Sequence, residues 1–254
     1  MEGFNLHIPD GYLGPATWIV FYAVMIPIWY LAFKSASHKL GPKSVPLLAF
    51  LSALSFMVMM FNLPIPDGTT AHIVGAVIIA VLLGPYAATI GLTIALLIQA
   101  LLFGDGGITA FAANCFNMGV VMPFVGIFIY TAIRLRMGAT TRSRVVASML
   151  AAYFGLVTAA TMAGFEFGIQ PYIAPGYAPY GLDVAIPAML LTHLLVGIVE
   201  AVATGAVVYY VSEHRPDILG LPKLAPRWME KMLKEDIPVR ELGGEPSGEI
   251  SADG

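Results

Sequence analysis

Histidine is the commonest protein ligand of late transition-metal ions, because its neutral imidazole offers a nitrogen donor near neutral pH. The chain has five histidines. His38 and His214 stand among basic residues and read as solvated side chains, while His193 falls inside a long apolar run. His7 and His72 differ from these. Each lies beside a near-copy of one tetrapeptide, Ile8-Pro9-Asp10-Gly11 after the first and Ile65-Pro66-Asp67-Gly68 before the second. Proline fixes φ and glycine permits a sharp turn, so both segments read as well-defined loops that each present one imidazole. Pattern alone leaves two readings of the pair: ligands of a metal ion, or interfacial histidines packed against Tyr12 or a bilayer surface. The one cysteine, Cys115, has no partner, which excludes disulfides and cysteine-cluster metal sites.

The elements that position these loops follow from composition. Of 254 residues, 58% are hydrophobic and 11% charged, too little charge to cover a water-soluble domain of this length. Lipid is the solvent this implies, and nothing indicates nucleic-acid binding. Apolar runs at 12–33, 45–62, 72–84, 86–104, 108–133, 144–169 and 184–212 predict an all-α integral membrane protein of seven transmembrane helices. The run 72–84 is the shortest and is parted from the next only by Gly84-Pro85. All thirteen Lys and Arg fall after the first run, between the fifth and sixth, or in the tail. The N-terminus and the segments 63–71, 104–107 and 170–183 have none. By the positive-inside rule the N-terminus is outside and the C-terminus cytoplasmic, which requires an odd number of spans. Glu2 and the lack of a small-residue cleavage site argue against a signal peptide.

The chain divides into an extracytoplasmic N-terminal segment 1–11, a membrane domain 12–212 and a cytoplasmic tail 213–254. That tail holds over half of the charged residues and ends in a Gly/Ser/Glu-rich stretch, so it reads as partly disordered. Within it, 226–235 reads as a short amphipathic helix, on the membrane surface or against a partner. Polar residues inside the spans must face protein or water. His193 and Glu200 are seven apart, hence on one helix face, and Glu166, Asn114 and Asn117 are their candidate partners, for helix packing or for a moving ion. Gly91, Gly119, Gly126, Gly155, Gly197 and Gly205 read as close-packing positions. No His-Glu-x-x-His marks an intramembrane protease, and no Gly-x-x-x-x-Gly-Lys-Ser/Thr binds phosphate, so ATP is hydrolysed by another chain if it is used. A self-sufficient proton-coupled secondary transporter would rely on Glu166, His193 and Glu200, and would show a repeat of broken helices that the sequence does not display.

Several stretches, in order, resemble the CbiM/NikM family, the cobalt- and nickel-specific substrate-binding components of energy-coupling factor transporters. They are Leu6-His7-Ile8-Pro9-Asp10-Gly11-Tyr12-Leu13, the segment from Asn62 to Gly75, Leu83-Gly84-Pro85-Tyr86, the segment from Gln99 to Ala110, and Ala113-Asn114-Cys115-Phe116-Asn117-Met118. The resemblance implies a multi-pass protein of a prokaryotic cell membrane with no resident cofactor and no enzymatic activity of its own. Its partners would be a transmembrane coupling subunit, two ATPase subunits and a small accessory membrane protein. It also implies a near-planar nitrogen site for cobalt(II) or nickel(II), made by an N-terminal amine, the main-chain and imidazole nitrogens of the next histidine, and a second, loop histidine. The histidine positions carry over to His7 and His72, and the amine to the nitrogen of Leu6. Four planar nitrogens suit nickel(II), but cobalt accepts the same set, so the metal is not chosen by the ligands.

The start of the chain departs from that pattern, because Met1-Glu2-Gly3-Phe4-Asn5-Leu6 stands where the family has methionine alone. An internal Leu6 offers an amide, which must lose its proton before it binds a metal. The extra residues are removed, translation starts at position 6, or another ligand such as Asn5 or Asp10 is recruited. Translation starting at position 6 is the expectation, since leucine codons UUG and CUG also initiate with methionine.

Overall fold

The computed structural model describes residues 6–61, 63–65, 69–138 and 140–235. Helix α1 runs Pro15–Lys39 and α2 Ser44–Met59. A two-stranded antiparallel ribbon follows, β1 Leu63–Ile65 against β2 Thr69–Ala71, with Leu63 opposite Ala71. Then come α3 Ala76–Leu83, α4 Pro85–Ile98 extended by a π-helical turn Gln99–Phe103, and α5 Phe111–Phe116. A second π-turn, Asn117–Val121, leads into α6 Met122–Met137. The chain continues through α7 Thr141–Gly168, α8 Gln170–Ile173, α9 Leu182–His214, α10 Pro216–Leu219 and α11 Arg227–Glu235.

Polarity is arranged for lipid. Ile26, Phe50, Leu102 and Leu191 are each more than 60% exposed, whereas Gln99, Asn117, His193 and Glu200 are buried. Five helical stretches are long and apolar enough to cross a bilayer: Pro15–Lys39, Pro85–Phe103, Phe111–Met137, Thr141–Ile173 and Leu182–His214. This is a multi-pass membrane protein. Ser44–Met59, with 16 residues, is shorter. The run 72–84, expected as the third span, yields only the eight-residue α3, about 12 Å of helix where a hydrocarbon core is about 30 Å thick. Glycines in non-helical conformations bracket it, Gly75 at φ 76° and Gly84 at φ 94°, and Pro85 cannot continue it. All eight of its residues are buried. Enclosed by its neighbours, it is much shorter than the helix expected from sequence.

Small residues set the packing. Helix α7 buries Ala147, Ala151, Gly155, Ala159 and Ala163, one every four residues, and its most extensive partner is the antiparallel α9. A Cβ at Gly205 would stand 2.5 Å from Met149, and one at Gly126 2.6 Å from Val77. Gly119 sits at ordinary contact distance, 3.6 Å from Thr89. Helix α9 buries a stripe through Ala185, Met189, His193, Val196, Glu200, Thr204 and Val208, so the seven-residue spacing does put His193 and Glu200 on one inward face.

After α9 the chain turns back onto the helices. Leu219, Leu224, Ala225, Met229 and Leu233 are buried in the common core. The main chain of Leu224 donates to Leu83 O (2.7 Å) and accepts from Tyr86 N (2.9 Å), straddling Gly84, where a Cβ would lie 2.5 Å from Leu224 O. Helix α11 packs on its own chain through Met229 and Leu233, with Lys39 paired to Glu230 and Trp228 exposed. The expectation of a disordered end concerns residues from 236 on, outside those described.

Candidate metal centre

The N-terminal segment enters the protein. Leu6 and Ile8 are fully buried and His7 is 3% exposed. Main-chain pairing fixes the segment: Ile8 N donates to Asn114 Oδ1 (2.8 Å), while Ile8 O accepts from Asn114 Nδ2 (3.0 Å) and Gly107 N (2.9 Å). Asp10 clamps the same two loops from the far side. Its carboxylate accepts from Ile108 N, Thr109 N and the Thr109 hydroxyl. Burial opposes its charge, but the Thr109 hydroxyl and the two amides outweigh that and hold its pKa below the usual carboxylate value. Gly107 is required by the close approach, since a Cβ there would stand 2.4 Å from Asp10 N.

His72 arrives by a separate route, at the exit of β2. It is 1% exposed, and its ring centroid lies 4.6 Å from that of His7, with the planes at 45°. Its Nδ1 is 3.3 Å from Ile73 O, the arrangement of a weak N–H donor, and its Nε2 has no hydrogen-bond partner among the described residues. Burial, then the neighbouring His7, pushes its pKa down to about 3. His72 is therefore neutral at physiological pH with a free nitrogen lone pair, the form that binds a metal ion. His7 Nδ1 stands 2.8 Å from Asp105 Oδ1, and its Nε2 too lacks a partner among the described residues. Burial disfavours the charged Asp105, but the contact with His7 and the fields of His7 and His72 prevail and lower its pKa.

Two π-turns flank the loop that carries Asp105. Such turns carry an extra residue per turn and recur at functional sites. Gln99 opens the first and Asn117 the second, both buried. Asn117 Nδ2 donates to Glu166 Oε2 (2.8 Å). Glu200 does not meet Glu166: its carboxylate accepts from Val74 N and Gly75 N. His193 Nδ1 is 2.8 Å from Met189 O. Asn114 is engaged with Ile8, so the polar residues of the spans pair differently from the sequence expectation.

The two histidines singled out by sequence are thus brought together, and Leu6 precedes His7 in the same buried segment. Asp10 is occupied in structure and faces the 108–109 amides; Asn5 lies outside the described residues. Sequence reasoning missed Asp105, within the Lys- and Arg-free segment 104–107, and missed that Asn114 is the brace of the N-terminal segment. Both fall in the Gln99–Ala110 and Ala113–Met118 stretches that carry the resemblance. Among the described residues no three His, Cys, Asp or Glu side chains are grouped to hold a metal ion.

Comparison with known proteins identifies the family. Residues 7–218 match the CbiM family, described as the cobalt uptake substrate-specific transmembrane region. The chain is 56% identical over 215 residues to a protein of Methanocaldococcus jannaschii, covering 84% of this chain and 94% of that one. It is 48% identical to the fused nickel transport protein NikMN of Rhodobacter capsulatus, covering 90% of this chain and 68% of that one. A crystal structure of a truncated transition metal transporter superposes with a TM-score of 0.76 at 50% identity, covering 82% of this chain and 99% of that one. The chain therefore belongs to the CbiM family of transmembrane components for cobalt and nickel uptake.

Proposed function

We propose that this protein is the substrate-capture component of an ATP-driven importer of nickel(II) or cobalt(II), and that it takes the ion from outside through His7, His72 and the nitrogen of Leu6. The observation that carries this is the pair of buried imidazoles, 4.6 Å apart on two braced loops, with His72 Nε2 unpartnered among the described residues. A neutral imidazole from His72, with imidazole and main-chain nitrogens of His7 and the Leu6 nitrogen, offers a planar four-nitrogen set suited to nickel(II). Asp105 then acts as a neighbour that draws the proton side of His7 towards itself while the site is empty and compensates the ion's charge nearby once it is filled. The capturing face is the Lys- and Arg-free side, with seven membrane segments, the short α3 included, and a cytoplasmic C-terminus.

Transport against a gradient falls to partners: a transmembrane coupling subunit, two ATPase subunits and a small accessory protein of the kind named in the fused NikMN relative. The sequence carries no phosphate-binding loop of its own. The test is His72→Ala. It removes one of four donors from a loop that contributes little to helix packing, so the variant is expected to purify folded with no bound ion. One ion per chain at wild-type affinity would overturn the site. Proteoliposomes holding this chain alone separate the two transport readings, because ATP-independent, proton-driven accumulation would assign it to the self-sufficient secondary transporters instead.

A further inference from the structure

We propose that Glu200 is a positioning residue for ion capture, its carboxylate setting where His72 stands by holding the main-chain amides of the loop that carries it. The proposal rests on the reading of His72 as a ligand. Glu200 Oε2 accepts from Val74 N at 2.7 Å and Oε1 from Gly75 N at 2.9 Å. The carboxylate is 1% exposed, and these bonds reach across 126 and 125 residues of sequence.

The geometry is that of an anion in a main-chain concavity. Successive amides point the same way where a residue turns left-handed, and Gly75 has φ 76°. These two amides lie at the start of α3, whose N-terminal partial charge favours a carboxylate. Both carboxylate oxygens are used, so the bond pair fixes direction as well as distance. A single residue, Ile73, separates His72 from Val74, too short a link for the imidazole to move independently of that anchor. On the α2 and α9 side the packing beside the loop is incomplete. A cavity of about 160 Å³ lies there, lined by Ser55, Ile73, Gly75, Glu200 and Thr204 among apolar neighbours. The two hydrogen bonds to Glu200 tie the loop to α9 beside this cavity.

Glutamine at position 200 keeps the shape but offers one acceptor oxygen and turns an N–H donor towards a second donor. Nickel binding to purified Glu200→Gln, by competition with a chromophoric chelator, should weaken about tenfold, the factor that ~1.4 kcal/mol corresponds to. The visible absorption of the bound nickel should shift, because a displaced imidazole changes the ligand field. Glu166→Gln, a change at a buried glutamate bonded to Asn117 instead of this loop, should leave both unchanged. A Glu200→Gln protein that melts lower but binds nickel with wild-type affinity and spectrum would show a purely structural role and overturn the proposal. If that variant does not purify folded, Glu200→Asp reads the same quantities. It keeps the charge and draws the loop about 1.5 Å towards α9, so a shifted spectrum supports the proposal and a wild-type one overturns it. His72→Ala run in parallel separates the failures: nickel retained there removes the site itself, and nickel lost there with Glu200→Gln unaffected removes only the positioning role.

Discussion

Asn114→Leu is the change that most directly tests how the N-terminal segment is held. The leucine is of similar size, but it deletes two buried hydrogen bonds to Ile8, at 2.8 and 3.0 Å. Ile8 O retains Gly107 N, whereas Ile8 N loses the Asn114 side-chain acceptor. Leaving one buried N–H unsatisfied costs about 1–3 kcal/mol, and the second lost bond contributes roughly 1 kcal/mol more. The sum, about 2–4 kcal/mol, falls on the conformation that places His7 opposite His72, because Ile8 adjoins His7. If binding requires that conformation, nickel affinity should drop by about 30- to 700-fold, at 1.4 kcal/mol per factor of ten. Competition with a chromophoric chelator measures the affinity, and thermal melting of the ion-free protein shows that the helices survive. Asn114→Asp should be intermediate, since a carboxylate still accepts from Ile8 N but faces Ile8 O. Affinity within threefold of wild type for Asn114→Leu would refute the view that this brace prepares the site.

Gly84→Ala should detach the segment around Leu224 from the α3–α4 junction, because its Cβ would lie 2.5 Å from Leu224 O at a φ that alanine adopts only with strain; the cost is about 1–3 kcal/mol, read as faster proteolysis after residue 219, and unchanged cleavage would contradict it. The melting temperature of the ion-free protein should fall as pH is lowered. Unfolded His72 takes up a proton near 6.5, whereas the folded one resists until about 3, so stability is lost across that window; His72→Gln should flatten the slope. A chain begun with methionine at position 6 should bind nickel more tightly than the full chain, since a free amine next to His7 needs no amide deprotonation. Equal affinities, with the full N-terminus verified by mass spectrometry, would make the amine dispensable.

Much of the architecture was legible without coordinates, because it is written in local composition. Lipid-facing helices need long apolar runs wherever they pack, which marked the five long stretches. Proline and glycine punctuate locally, which marked the turn beside His7 and the break at Gly84-Pro85. What the runs cannot convey is what surrounds them. Helix α3 is as apolar as a span because neighbouring helices enclose it, and apolarity is the same signal for protein and for lipid. Helix α11 is amphipathic in sequence, but only packing reveals that its apolar side, Met229 and Leu233, rests on its own chain.

The candidate centre divides along the same line. Residue type and loop chemistry singled out His7 and His72, since imidazole is scarce in an apolar chain and each stands beside an Ile-Pro-Asp-Gly tetrapeptide. That their rings lie 4.6 Å apart is a property of the fold alone, because 65 residues and two helices separate them. The partners that hold them are more distant still: Asn114 for the segment of His7, Glu200 for the loop of His72, and Asp105 beside His7 itself. Buried polar groups must find hydrogen-bond partners, so a sequence announces that Glu200 and Asn114 have some partner. Which one each finds depends on helix crossings and loop paths that no local pattern encodes, and there the tertiary structure decides.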